Sequence, residues 1–336
     1  MTTPTAPAST RAGPAARAPL TRVPLYPGPL PRVRPDRLPW PGRVVRSGGV
    51  ALHIRDTPGP PGGALAVYVH GLGGSATNFT DVAALIGTQL PGMAVDLPGF
   101  GRSEPSDGFD YTPDAHAAAL GDFLAGLGRG PIHLVANSMG GAVALLLAAA
   151  RPEIVRTLTL ISPAVPDLRV NMRRLSDPRY ALAFLPVLGP RVRRRLAAMS
   201  PAQRTEQMLR LCFADPSAVS AARRGQAVAE AAERQGMAWA AAALGGSAAG
   251  LLRAWLVPRS RSLWAAAAAV DQPALVVWGA ADRVVSVRKA PRAATALPRG
   301  RLLVLPRTGH VAQLERPTSV ARAVLGMVDA QHRDEW

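Results

Sequence analysis

Cysteine is almost absent from this chain. Cys212 stands alone among 336 residues, which excludes an internal disulfide and a fold that depends on an oxidising compartment. Lysine is equally scarce, with Lys289 against 38 arginines. No apolar run reaches the roughly 18 uninterrupted residues a membrane span needs. The nearest, residues 237–252, is broken by Gly245-Gly246-Ser247. Aromatic residues make up only 5% and are too thinly placed between the basic ones for a base-stacking platform, so nucleic acid is not an expected partner. The first 43 residues are rich in Pro, Ala, Thr and Arg and lack the apolar core of a signal peptide, which predicts a disordered extension over 1–43 and a cytoplasmic location.

What is abundant is apolar residue and positive charge. At 48% hydrophobic composition the chain can bury one large core, and short apolar runs alternating with helical stretches predict a parallel α/β sheet. The net charge of +17 is uneven. Residues 1–46 hold eight arginines against Asp36, residues 165–262 hold sixteen against six acids, and the remainder is neutral. The strand pattern also vanishes over the second of these segments, replaced by Arg- and Ala-rich helical stretches broken by prolines. Two readings of this charge stand side by side. One is attraction of an anionic membrane surface or anionic substrate, with Arg191 to Arg195 beside an apolar run as an interfacial lid and the protein peripheral to a membrane. The other is an arginine-favouring composition that loads whatever surface is least constrained.

The most informative run is Ile132 to Val143, an apolar strand that stops at Ser138 and restarts as an apolar helix. A serine at a sharp strand-to-helix turn needs small neighbours, because its backbone is strained, and the helix behind it aims N–H groups at a developing oxyanion. Gly140, Gly141 and Ala136 supply that smallness, with Ala136 where the G-x-S-x-G pattern has its first glycine. Three further pieces occur at the ends of apolar runs. His70-Gly71-Leu72-Gly73-Gly74 follows 64–69, Asp282 follows 273–279, and His310 follows 301–305 after Gly309. Serine, acid and histidine thus appear in the order a nucleophile-elbow hydrolase requires.

With these motifs, and with Asp96-Leu97-Pro98-Gly99-Phe100-Gly101, the chain resembles the α/β-hydrolase family from about residue 44 to 330. The string Asn137-Ser138-Met139-Gly140-Gly141 is similar to the elbow of the hydrolases that cleave carbon–carbon bonds in ring-opened aromatics, although those carry an aromatic where this chain has Val311. The resemblance implies a mostly parallel central sheet flanked by helices with an inserted helical cap, divided as 1–43 extension, 44–163 core, 164–262 cap and 263–332 core. It implies Ser138, Asp282 and His310 as the catalytic triad, Leu72 and Met139 as oxyanion donors, and His70, Gly71 and Gly73 as the oxyanion loop. No metal and no cofactor are expected.

The residue chemistry agrees. A serine hydroxyl is a poor nucleophile at neutral pH and needs an imidazole to take its proton and a carboxylate to fix the imidazole tautomer. His53, His116, His133 and His332 lie on early, helical, mid-strand or terminal positions and read as structural, as does Asp96 in its family turn; Asp271 sits at the wrong end of its strand. The expected reaction is hydrolysis of a small-molecule carboxylic ester or related acyl substrate with a largely apolar acyl or alcohol part, through an acyl-enzyme at Ser138. A carbon–carbon hydrolase, a cofactor-free perhydrolase or haloperoxidase-like enzyme, and a non-catalytic binding protein on the same fold are the alternatives.

Overall fold

The computed structural model describes residues 22–166 and 198–336. Its centre is one eight-stranded sheet in the order β1-β2-β4-β3-β5-β6-β7-β8, comprising β1 (Gly42–Ser47), β2 (Val50–Thr57), β3 (Ala66–Val69), β4 (Gly92–Val95), β5 (Ile132–Asn137), β6 (Val155–Ile161), β7 (Ala274–Gly279) and β8 (Gly300–Leu305). Strand β2 runs antiparallel to both β1 and β4, and all pairings from β4 to β8 are parallel.

The middle strands are covered on both faces, which is why they read as unbroken apolar runs rather than alternating ones. On β7, Ala274, Val276 and Trp278 enter one apolar cluster while Leu275 and Val277 enter the other. The first cluster is completed by α2 (Pro113–Gly126), α3 (Met139–Ala150), α7 (Leu263–Ala268) and α8 (Ala290–Thr295), the second by α1 (Thr80–Ile86), α9 (Ala312–Glu315) and α10 (Pro317–His332).

Chain order matters for the site. From β3 the chain moves outward to β4 in one direction, whereas β5, β6, β7 and β8 follow in the other, so the sheet reverses its winding between β3 and β5. In such sheets the crevice beyond the carboxyl ends of the strands at this reversal is where ligands bind. Between β6 and β7 the described residues are helical: α4 (Pro201–Cys212), α5 (Ala221–Gln235) and α6 (Ala240–Trp255). The Arg191 to Arg195 run lies outside the described residues. No described helix is long and apolar enough to cross a membrane.

The expected disorder of 1–43 does not hold from residue 22 onward. Residues 22–41 have no regular secondary structure, yet Val23, Tyr26, Leu30, Val33 and Trp40 pack against the second cluster. Tyr26 N–H donates to the Arg322 carbonyl at 2.9 Å, and Arg322 in turn donates to the carbonyls of Tyr26 and Gly28. Prolines that forbid a helix or a sheet ladder leave an extended strap whose apolar residues are spaced widely enough to escape a periodicity reading.

Candidate active site

Ser138 takes φ 53° and ψ −117°, a conformation that costs an L-residue on the order of 1–3 kcal/mol. The surroundings hold it there. Its N–H donates to the Ile161 carbonyl at 3.0 Å, and its own carbonyl accepts from Ala142 and Ala164. A Cβ at Gly140 would lie 2.4 Å from the His70 carbonyl oxygen, so only glycine lets the elbow approach the end of β3 this closely. Ala136 needs no such freedom, since it sits in regular β5 paired with Val69 and Leu160.

The loop after β3 is pressed against the serine. A Cβ at Gly71 would come within 3.0 Å of the Ser138 Cβ. Gly71 to Gly74 form a tight turn, closed by Gly74 N–H to the Gly71 carbonyl at 3.0 Å, with Gly73 at φ +71°. His70 pins this turn from beneath. Its Nε2 accepts from Leu97 N–H at 3.1 Å, which puts the proton on Nδ1, and Nδ1–H donates to the Gly71 carbonyl at 2.7 Å. Burial lowers the imidazole pKa below its usual range. The N–H groups of Leu72 and Met139 have no acceptor among the described residues.

His310 lies in the loop after β8, and Asp282 in the loop after β7. His310 Nδ1–H donates to Asp282 Oδ2 at 2.9 Å, and the other carboxylate oxygen accepts from Val284 and Val285 N–H at 2.8 and 2.9 Å. The orientation of the acid is therefore set by its own turn, which Trp278 buttresses by donating Nε1–H to the Val285 carbonyl. Asn137 joins the histidine loop to the elbow: its amide donates to the carbonyls of Ile161 at 3.0 Å and His310 at 3.2 Å. Ser138, Met139 and the turn of residues 70–73 thus meet at the reversal between β3 and β5, while Asp282 and His310 lie in the loops after β7 and β8, the His310 backbone joined to the elbow through Asn137.

Several supporting residues escaped the sequence reading. The carboxylate of Glu315 accepts from Gly309 N–H at 2.6 Å and from Ala214 N–H at 3.0 Å, tying the histidine loop to the helical insertion; burial pushes its pKa up, and these amides partly oppose that. The last carbonyls of α4, unsatisfied within the helix, are taken up by site loops. Cys212 O accepts from His310 N–H at 2.7 Å, and Arg283 donates to Arg210 O and Phe213 O. On α5, Arg234 donates to the Gly73 carbonyl and to Glu230, which also accepts from Thr77. Glu315, five residues beyond His310, and the Glu230–Arg234 pair, four apart on α5, had local signals; the contacts that join them and Arg283 to the site loops depend on partners tens to hundreds of positions away.

The remaining histidines are held in the core. His116 bonds Ser247 and His133 bonds Thr157, and burial lowers the pKa of each to about 3. No cluster of metal-binding side chains occurs among the described residues.

This geometry is that of an α/β hydrolase, and residues 67–317 match the family described as alpha/beta hydrolase fold. The chain belongs to that family. It is similar to Lipase LipV of Mycobacterium tuberculosis, 39% identical over 132 residues that cover 39% of this chain and 49% of that protein. It is also similar to the dihydrolipoyllysine-residue acetyltransferase component of the acetoin cleaving system of Pseudomonas putida, 29% identical across 80% of this chain and 65% of that one. The chain thus spans about half to two thirds of these two relatives. Among solved structures, the 2-hydroxy-6-oxo-6-phenylhexa-2,4-dienoate hydrolase of Rhodococcus sp. superposes with a TM-score of 0.68 at 21% identity, covering 86% of this chain and all of that one. At that identity the likeness concerns the fold alone.

Proposed function

We propose that this α/β hydrolase cleaves carboxylic esters or related acyl compounds with a partly apolar acyl or alcohol group, through an acyl-enzyme at Ser138. The observation that carries the reading is the His310–Asp282 pair at 2.9 Å, its histidine backbone bonded at 3.2 Å to Asn137, the residue before a serine held at φ 53°. Asp282 accepts from Nδ1–H, which leaves His310 Nε2 as the base. It takes the Ser138 proton as Oγ attacks the acyl carbon, then returns it to the leaving alkoxide. Water, deprotonated by the same nitrogen, releases the acid. The unengaged Leu72 and Met139 amides are the donors for the oxyanion of each tetrahedral intermediate, an arrangement worth about 10²–10³ in rate for one donor in comparable sites. The similarity to Lipase LipV supports an ester substrate.

A fluorophosphonate probe and an ester panel graded from acetyl to long acyl chains test this reading. Covalent labelling that disappears in Ser138→Ala, with saturable turnover of at least one ester, is the expected result. Turnover of a dienoate with none of any ester would replace ester cleavage by carbon–carbon hydrolysis.

A further inference from the structure

Among the described residues, the arginines of the helical insertion divide into two groups. On α4 and α5 they are spoken for: Arg210 and Arg224 pair with Glu206, Arg234 with Glu230, and Arg223 with Asp81 in the core. Beyond Glu233 the pattern changes. Residues 234–270 contain no acid at all, and Arg253, Arg259 and Arg261 are exposed without an ion pair or a side-chain hydrogen bond among the described residues.

The same stretch presents an apolar face to solvent. Leu244, Ala248, Leu252 and Leu256 recur every four positions along α6 and its C-terminal cap, and all four are exposed, Leu252 by 52% and Leu256 by 64%. Residues four apart on a helix share one face. Val257 continues the stripe, and Arg253 flanks it directly behind Leu252. Isolated exposed leucines are ordinary, whereas a continuous stripe is a site of association. It also leads to the reaction centre. Leu244 lies over the oxyanion turn, its Cδ1 3.5 Å from where a Cβ on Gly73 would stand.

We propose that this face of α6, with Arg253, Arg259 and Arg261, docks on the surface of an anionic lipid bilayer, the leucines entering the acyl boundary and the arginines lying among the headgroups. Charge selects this occupant. A second copy of a chain with net charge +17 would set the same unpaired arginines against each other, whereas an anionic headgroup layer neutralises them. An amphipathic helix with leucine on one side and arginine at its border has the composition of an interfacial element. Docking here brings the Gly73 turn, over which Leu244 lies, close to the source of apolar acyl chains. Binding is separable from turnover, so the ester reading can fail without it.

The test uses the full chain carrying Leu252→Cys labelled with an environment-sensitive nitrobenzoxadiazole. Selective labelling is feasible because burial pushes the Cys212 thiol up to about 12. Vesicles of phosphatidylcholine, alone or with about one third phosphatidylglycerol, are added at low salt and again at salt high enough to shorten the screening length to ~3 Å. The expected result is a blue shift and quenching by brominated acyl chains with the anionic vesicles only, lost at high salt. In flotation of unlabelled protein, Leu252→Ser with Leu256→Ser, and separately Arg253→Gln with Arg259→Gln and Arg261→Gln, each weaken partition at least tenfold, with hydrolysis of a short soluble ester unchanged. The proposal is overturned if the label stays in water while protein floats, or if both sets of variants float like the parent. It is equally overturned if binding vanishes only when Arg191, Arg193, Arg194 and Arg195 are neutralised, or if the leucines are covered in a concentration-dependent dimer.

Discussion

Two histidine–aspartate pairs flank the sheet on opposite sides of its winding reversal, both almost wholly buried and nearly equal in length: His310 to Asp282 at 2.9 Å, after β8 and β7, and His53 to Asp96 at 2.7 Å, on β2 and after β4. Pair geometry alone does not separate them. Their surroundings do. Asp96 also accepts from Ala76 N–H at 2.6 Å and Arg102 N–H at 2.9 Å, so it knots together β2, the turn after β3 and the loop after β4. Burial pulls the Asp96 pKa up, but the hydrogen bond from His53, the neighbouring His70 and the two amides together hold it below the usual carboxylate value. The second nitrogen of His53 is buried without a partner among the described residues and faces β1, 2.0 Å from where a Cβ on Gly42 would stand. That pair is a brace. The His310 pair has its acid oriented by a self-contained turn and its histidine loop bonded to the residue before a strained serine. On the proposed function, the His310 pair is the catalytic one because its loop is bonded to the residue that precedes Ser138, whereas nothing joins the His53 pair to a nucleophile among the described residues.

The comparison can be broken in order of expected effect. Ser138→Ala should cost about 10⁴-fold or more in kcat while leaving the melting temperature close to the parent, since alanine keeps the elbow's volume. Next, Asp282→Asn should lower kcat by about 10³–10⁴-fold with little change in KM. Asp96→Asn should instead destabilise the fold by about 3–5 kcal/mol in denaturant unfolding, with near-normal kcat per folded molecule, because it leaves a buried three-donor site short of its charge. A reversed pattern would exchange the roles of the two acids.

Smaller effects sharpen the picture of the supporting shell. Arg234→Gln, which removes the charged clamp on the Gly73 carbonyl, should reduce kcat about tenfold at unchanged KM, as expected when a donor that acts only in the transition state is misplaced. Smallest is a pH effect on stability. His116 and His133, at about 3 in the folded protein, remain neutral at pH 5, while in the unfolded chain they take up protons below their ordinary value near 6.5. Unfolding therefore binds protons, and stability falls as pH drops from about 6.5 toward 3. His133→Gln should make the dependence of unfolding free energy on pH shallower by about one proton in that window.

Much of this was legible in the sequence. Strands β3, β5 and β7 announce themselves because burial on both faces demands continuous apolar runs, and Ser138, Asp282 and His310 stand out because each terminates or closely follows such a run. The elbow's glycine at 140 is legible for the same local reason. What could not be read depends on three-dimensional neighbours. Asn137 meets His310 across 173 positions and Arg234 meets Gly73 across 161, and neither carries a local pattern. The strap of residues 22–41 was hidden by composition, since Pro-rich sequence marks disorder unless a few anchors find a groove. Composition likewise shows that arginines are many but not which are paired, and that division is what distinguishes α5 from α6.

The most direct test of the central claim is the rate of covalent labelling at Ser138, followed by mass spectrometry with a fluorophosphonate on folded parent, Asp282→Asn and Asp96→Asn proteins. The account predicts a single adduct on the peptide bearing Ser138, formed at least a hundredfold more slowly in Asp282→Asn and at the parental rate in Asp96→Asn. No adduct at Ser138, or equal slowing by the two substitutions in proteins that remain folded, would contradict it.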